Sequence, residues 1–159
     1  MEDIPGLIFI TNFITLEEEK ELLKQINKQV WSSALSRRTQ HYGYIYDYKT
    51  REAVQETNPI PEWCQFLITR LMEKELLKNV PDQLIINEYM PGQGIFPHID
   101  DPVSFEDGIV SLSLESDIIM DFIRDTNKHV MLKRRSVIVL HGDARYKWTH
   151  GIRPNKIDI

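Results

Sequence analysis

The chain is poor in cysteine and has no long apolar run. Its 159 residues include one cysteine, Cys64, so no intramolecular disulfide can form and Cys-x-x-Cys zinc sites are excluded. No apolar stretch approaches the roughly 18 residues of a membrane span, and the first residues lack the basic start of a secretory signal. We therefore expect an intracellular protein, cytoplasmic or nuclear, with no membrane partner and a buried, structural Cys64.

An excess of positive charge is also lacking, which argues against a general nucleic-acid coat. The formal net charge is −5, but basic residues concentrate in two stretches. Residues 128–156 hold eight lysines and arginines against one acidic residue, and residues 31–51 hold four against one. Such stretches permit a focused site for a polyanion. The alternative is a scattered, solvated surface.

The first half of the chain predicts helices around a tyrosine-rich strand. A strand is expected at residues 7–10. A helix follows, with Thr15 as N-cap, Glu18 completing a capping box, and an apolar face that runs to Val30. Tyrosines alternate at residues 42–48, as on one face of a strand. Pro61 begins a second helix that is expected to end near Asn79.

The second half predicts β-structure. From residue 82 onwards, short apolar runs alternate with turn residues, which indicates a β-sandwich or jelly roll. Helices followed by strands give an α+β order. We expect one domain over residues 1–159, with a mainly helical part to about residue 80 that packs on the β-structure of residues 82–159.

Two histidines and an aspartate are the candidate metal ligands. His98 and Asp100 are two residues apart in a predicted strand, so their side chains leave the same face. His150 lies in a later predicted strand. Two imidazoles and one carboxylate leave the opposite side of an ion open, which suits a non-haem Fe(II) that binds an oxidant and a co-substrate together. The alternative for His150 is a strand histidine bonded to a backbone carbonyl.

Longer stretches around these residues carry a family resemblance. Residues 87–95, followed by His98 and Asp100, resemble the signature of the AlkB-like dioxygenases. The likeness continues through residues 37–44, 110–114, 119–122, 134–140 and 142–152. It implies a double-stranded β-helix (jelly roll), Fe(II) as cofactor, and 2-oxoglutarate and O2 as co-substrates. Within the family, the chain resembles the AlkB domain of the homologue that modifies wobble uridine in tRNA, and viral and microbial AlkB proteins.

The resemblance also assigns roles to single residues. His98, Asp100 and His150 would bind the iron, and Asn87 and Tyr89 would contact 2-oxoglutarate. The family places a further core strand, with an Arg-x5-Arg pattern for 2-oxoglutarate, after its last histidine. This chain stops nine residues after His150. If it ends there, we expect a jelly roll that lacks its last core strand, weak or absent 2-oxoglutarate binding and poor stability.

The stretch from Arg37 to Tyr44 resembles the family's nucleotide-recognition segment. Arg37 and Arg38 would meet phosphates, and Tyr42 and Tyr44 would stack bases. The alternative is a half-buried hairpin whose tyrosines only pack. Asp101 is a candidate acceptor for an exocyclic amine, although the corresponding family residue lies two after the metal aspartate, where this chain has Pro102.

The resemblance implies an enzyme that hydroxylates or oxidatively dealkylates alkylated nucleobases in DNA or RNA, including tRNA, and that acts as a monomer. No protein nucleophile is expected. Two alternatives remain: a module that binds nucleic acid without turnover, and an oxygenase on the same scaffold that acts on a peptide.

Overall fold

Antiparallel β-sheet dominates the structure. The structure is a computed structural model, and it describes residues 4–33, 37–47, 52–56, 58–100 and 107–152. Within residues 44–47 and 52–56 it describes the backbone only. The strands are β1 (Leu7–Ile10), β2 (Arg38–Asp47), β3 (Glu52–Glu56), β4 (Gln83–Glu88), β5 (Ile95–His98), β6 (Ile109–Leu112), β7 (Ile118–Ile123), β8 (Asn127–Leu132), β9 (Val137–Leu140) and β10 (Thr149–Ile152). The helices are α1 (Leu16–Asn27), α2 (Gln65–Glu73), which follows a 3-10 turn at Glu62–Cys64, and α3 (Gly142–Tyr146).

The chain divides into two compact units. The first unit comprises Met1–Glu19 and Tyr89–Ile159, and the second comprises Lys20–Glu88. Strand orders β1-β9-β6 and β5-β10-β7-β8 belong to the first unit, and β3-β2-β4 belongs to the second. The second unit ends a few residues beyond the predicted internal boundary. The interpretation of the chain as one domain stays a prediction.

The core of the first unit lies between its two sheets. β9 is buried at all four positions because it pairs with β1 on one side and β6 on the other. Ile138 and Leu140 from this sheet join Phe122 and Leu132 from the other in one apolar cluster. Phe122 is fully buried, and burying a side chain of that size contributes about 1.5–3 kcal/mol. The two sheets therefore hold each other as a sandwich.

The start of α1 confirms the predicted capping box. Thr15 N donates to Glu18 Oε1 at 2.8 Å, and Glu18 N donates to Thr15 Oγ1 at 3.1 Å. The predicted end of the apolar face was wrong. Leu22 and Ile26 are buried, but α1 ends at Asn27, and Val30 lies beyond it with 91% of its surface exposed.

Helix α2 ends at Glu73, earlier than the prediction of Asn79. Glu75 adopts a left-handed conformation with φ 54°. Leu76 N then donates to Leu71 O and Glu75 N donates to Met72 O, which is the Schellman arrangement that closes a helix. Glycine usually marks this position, and a glutamate there gives no stop signal.

The thiol of Cys64 lies in the interior, as predicted. Cys64 is 3% exposed, and burial raises its pKa to about 12. The thiol therefore stays protonated and inert at neutral pH. Among the described residues, no helix is both long enough and apolar enough to cross a membrane.

Residues 141–143 form the start of a short helix where the sequence predicted only a turn. α3 follows His141, and its Ala144 is completely buried in the core of the first unit. Lys147 and Trp148 then lead directly into β10. The turn residues at the start of this segment hid the helix, because five residues are too few to show an apolar period.

Candidate metal centre

A cross-strand pair of histidines forms the base of the site. β5 and β10 pair antiparallel in a register that sets His98 opposite His150. Their ring centroids lie 4.5 Å apart. Gly151 permits this close approach, because a Cβ there would lie 2.7 Å from Ile95 O and 2.8 Å from Pro97 N. Fifty-two residues of sequence separate the two histidines, so the register brings them together.

Asp100 completes the cluster from just beyond the end of β5. Its Oδ1 lies 3.3 Å from His98 Nε2, and its Oδ2 lies 3.6 Å from His150 Nε2. One ligand atom from each of the three residues lies within 4.8 Å of the others. The sequence prediction of a shared strand was wrong in one respect: β5 ends at His98, and Asp100 follows it.

The spacing of these donor atoms fits a single cation. Nitrogen and oxygen ligands sit about 2.1 Å from a divalent transition metal, so two ligands at a right angle are about 3 Å apart. The distances from Asp100 to the two imidazoles are slightly longer than this, and 3.6 Å is too long for a hydrogen bond.

The protonation states also suit a metal. Nδ1 of His98 lies 2.9 Å from the carbonyl of Phe96, which only accepts, so Nδ1 carries the proton and Nε2 keeps its lone pair. Burial lowers the pKa of His150 to about 4, outweighing Asp100, which acts to raise it. The imidazole of His150 therefore offers a free nitrogen near pH 7.

Asp100 is ionised in this setting. Burial opposes its charge, but the neighbouring side chains of His98, His150 and Arg145 together lower its pKa. The cluster thus supplies two imidazole nitrogens and one carboxylate, and this donor set is characteristic of non-haem Fe(II).

The surroundings of His150 do not match the alternative interpretation of this residue as a strand histidine bonded to a backbone carbonyl. Nδ1 of His150 is buried and, among the residues that the structure describes, has no hydrogen-bond partner. A structural histidine bonded to a backbone carbonyl is therefore not what these residues form. The Phe122 ring, with its centroid 6.3 Å from that of His150, covers the imidazole on the core side.

Two groups beside the cluster were not anticipated from the sequence. The carbonyl of Phe96 orients His98, and a backbone acceptor leaves no trace in residue identity. Arg145 Nη1 donates to the backbone carbonyl of Asp100 at 2.6 Å. Arg145 belongs to the stretch 142–152 that resembles the family. It was not singled out, because an arginine in a basic stretch is usually exposed to solvent.

The residues expected to contact 2-oxoglutarate lie in different settings. Asn87 is exposed on β4, where its Oδ1 accepts a hydrogen bond from Arg37 Nε at 3.0 Å. Tyr89 is half-buried and packs against the core of the first unit. Their contact with 2-oxoglutarate stays a prediction.

The expected nucleotide-binding residues are partly engaged within the second unit. Arg38 makes a two-pronged pair with Glu88, at 2.7 Å for each bond, and its guanidinium lies over the Trp31 ring. Tyr42 is buried, and its hydroxyl donates to Gln40 Oε1 at 2.9 Å. Tyr44 lies in β2 with its backbone described, and Asp101 lies outside the described residues. Substrate contact by this segment stays a prediction.

Several cations of the C-terminal basic stretch have acidic partners. Lys133 pairs with Asp117 at 3.3 Å, and Lys147 pairs with Asp143 at 3.6 Å. Arg134 contacts the buried Glu19 at 2.6 Å. The local excess of positive charge is therefore partly neutralised within the fold.

Comparison with known protein families returns one family over most of the chain. Residues 25–158 match the family described as the 2OG-Fe(II) oxygenase superfamily. The match includes all three residues of the cluster.

Curated relatives extend over nearly the whole chain. A Xenopus tropicalis protein named tRNA (carboxymethyluridine(34)-5-O)-methyltransferase alkbh8 is 40% identical over 98% of this chain, which spans only 26% of that protein's length. An uncharacterized protein, L905, of Acanthamoeba polyphaga mimivirus is 35% identical, with 99% of this chain and 77% of the viral protein covered.

Among solved structures, OsALKBH1 resembles this chain with a TM-score of 0.73, at 18% identity, with 97% of this chain and 87% of that chain covered. At this identity the likeness concerns the fold alone. It confirms the jelly-roll class, with antiparallel sheets and few helices.

Proposed function

Because the chain belongs to the 2OG-Fe(II) oxygenase superfamily, in its AlkB branch, we propose that His98, Asp100 and His150 hold Fe(II) and that the substrate is an alkylated nucleobase in nucleic acid. The family makes the chain an oxidoreductase, a dioxygenase that uses Fe(II), 2-oxoglutarate and O2. The observation that carries the proposed site is the convergence of three donor atoms within 4.8 Å.

Iron, 2-oxoglutarate and O2 together supply the oxidising power that hydroxylates a C–H bond, with release of succinate and CO2. The chain contributes binding and orientation. His98 and His150 would each present an imidazole nitrogen to the metal, and Asp100, whose pKa is lowered, would present a carboxylate. The Phe96 carbonyl fixes the ring of His98, and the apolar wall around Phe122 keeps water from the buried side of His150.

The names of the relatives support the proposed substrate class. The Xenopus relative is named for a modified uridine at position 34 of tRNA, so we propose a modified wobble uridine as the first substrate to test. A hydroxylated N-alkyl group leaves as an aldehyde, whereas a hydroxylated side-chain carbon is retained as an alcohol. A base in an anticodon loop is already unstacked, so the protein would not have to flip it from a duplex.

Anaerobic titration with Fe(II) or Co(II) tests the metal site. Single substitutions His98→Ala, Asp100→Ala and His150→Ala should each abolish binding of one equivalent of metal. His129→Ala is the matched control, because His129 is an exposed imidazole on β8 outside the cluster. Wild-type affinity in all three variants would contradict the proposed site.

A succinate-release assay tests the substrate. The protein is supplied with Fe(II), 2-oxoglutarate and O2 together with a tRNA anticodon stem-loop that carries a modified uridine, a methylated DNA strand, or a peptide. We expect the stem-loop to raise succinate formation in step with an oxidised nucleoside detected by mass spectrometry. Stimulation by peptide alone favours a protein-directed oxygenase, and nucleic-acid binding without succinate favours a module that does not turn over.

A further inference from the structure

Arg145 carries a guanidinium that is completely removed from solvent. The residue is 0% exposed, and a buried guanidinium is costly unless its donors are bonded. Its Nη1 donates to the carbonyl of Asp100 at 2.6 Å, and its Cζ lies 4.7 Å from the centroid of the Tyr146 ring. A charge-assisted bond of this length fixes the main chain of Asp100.

Asp100 lies where the strand ladder no longer holds the backbone. β5 ends at His98, and the pairing of β5 with β10 sets His98 and His150 but does not reach Asp100. Only two rotatable bonds join the carboxylate of Asp100 to its main chain, so the position of the carboxylate depends on where the main chain lies. The bond from Arg145 is the described contact that anchors this main chain from outside β5.

Helix α3, which carries Arg145, is itself firmly attached. Ala144 N donates to Pro5 O at 3.0 Å, and His141 N donates to Gly6 O at 2.9 Å. Gly6 has φ 84°, and a Cβ there would lie 2.0 Å from His141 O, so only glycine allows this contact. Gly142 N also donates to Asp107 Oδ1 at 3.0 Å. α3 thus bonds to residues on both sides of the segment 101–106.

We propose that Arg145 is a positioning residue that holds the main chain of Asp100 so that its carboxylate meets His98 and His150. This inference rests on the proposed metal site. α3 leads into β10 within three residues, so one short segment supplies His150 and also sets the place of Asp100. Groups that orient metal ligands in this way typically change metal affinity by about 10–100-fold.

Anaerobic Co(II) titration of the full chain tests the proposal, because the visible spectrum of cobalt reports ligand geometry without turnover. Arg145→Met should weaken Co(II) binding by about 10–100-fold and change the spectrum. Arg145→Lys keeps the charge and one donor, so its loss should be smaller. Arg134→Met is the matched control: Arg134 bonds the buried Glu19 and neither residue belongs to the cluster, so its loss should lower Tm with wild-type Co(II) affinity.

The outcomes separate this inference from the proposed function. Wild-type protein that binds no Co(II) would overturn both. Wild-type binding together with less than about threefold weakening in Arg145→Met would overturn the inference alone. Equal weakening in Arg134→Met would also overturn it, because general destabilisation would then explain the effect. If Arg145→Met does not fold, a wild-type affinity and spectrum in Arg145→Lys would overturn it.

Discussion

At the scale of single residues, the two histidines of the cluster differ in their access to water. The side chain of His150 is 10% exposed and that of His98 is 35% exposed. Burial makes the cationic form of His150 costly, so the residue stays neutral well below neutral pH. A metal that binds at pH 7 therefore displaces no proton from His150.

The lowered pKa of His150 predicts how the metal-free protein responds to acid. Its pKa falls from an ordinary 6.5 to about 4 on folding, so the unfolded chain binds the extra proton between these values. Stability is complete above pH 6.5 and declines as the pH falls towards 4, by on the order of 3 kcal/mol for this residue. His150→Gln removes the titration, and chemical unfolding from pH 7 to pH 4 should show a shallower loss.

The difference between the slopes reports His150 together with its effect on the pKa of Asp100, because the remaining groups are present in both proteins. His41, whose pKa burial also lowers, adds a slope of the same sign in each. An identical pH dependence in wild type and His150→Gln would show that the imidazole is not held neutral by burial.

Residue identity predicted the three donor side chains, because the residue type alone shows which side chains are imidazoles or carboxylates. It did not predict Phe96 or Arg145. Phe96 acts through its backbone carbonyl, which every residue possesses. Arg145 is buried by tertiary packing around α3, and nothing in its neighbours distinguishes it from a solvated arginine.

At the scale of elements, the antiparallel pairing of β5 and β10 determines the geometry of the cluster. Gly151 follows His150 on β10, and its missing side chain lets the two strands approach. The register shifts between His150 and Ile152, so the pairing is irregular next to the histidine. Any side chain at residue 151 would press against the backbone of β5.

We expect Gly151→Ala to impair the metal site through the backbone. The new Cβ would lie 2.7 Å from Ile95 O and 2.8 Å from Pro97 N, which is closer than van der Waals contact allows. The strands must therefore separate, at a cost of about 1–3 kcal/mol. Co(II) affinity should fall along with Tm. Ser111→Ala, at an exposed position of β6, is the control and should change neither measurement. Unchanged Co(II) affinity in Gly151→Ala would mean that the cluster tolerates a shift of β5.

The elements themselves were largely predictable where a short apolar run between turn residues or a capping box was present. β4, β7 and β9 lie where the short apolar runs fell, and α1 begins where Thr15 and Glu18 indicated. The failures have local causes. α2 stops at a left-handed glutamate instead of a glycine, and α3 is too short for its periodicity to be seen.

At the scale of the whole molecule, all three donor residues belong to the first unit, which is assembled from the two ends of the chain. Periodicity alone could not place His98 opposite His150, because strand pairing over such a separation is a tertiary property. The family resemblance implied that the two histidines share a metal, and the pairing of their strands comes from the structure. The change of character predicted at residue 82 lies a few residues before the end of the second unit, but the assignment of residues 1–19 to the first unit was not predicted.

Metal binding should stabilise the first unit most. A ligand that binds only the folded state contributes about 2.7 kcal/mol when its free concentration is a hundred times Kd. Hydrogen exchange with and without Co(II) should show the greatest slowing in β5, α3 and β10. The strands β2, β3 and β4 of the second unit serve as the internal reference. Greater slowing in that reference would contradict a site built from His98, Asp100 and His150.

The donor set also has a practical consequence for handling the protein. Two imidazoles and a carboxylate do not select Fe²⁺ by affinity, because the Irving–Williams order favours Ni²⁺, Cu²⁺ and Zn²⁺ over Fe²⁺ at such a site. Protein purified on a nickel column should therefore carry the wrong ion at this cluster. Such preparations should consume no oxygen until a chelator has removed the bound ion and Fe(II) has been added under anaerobic conditions.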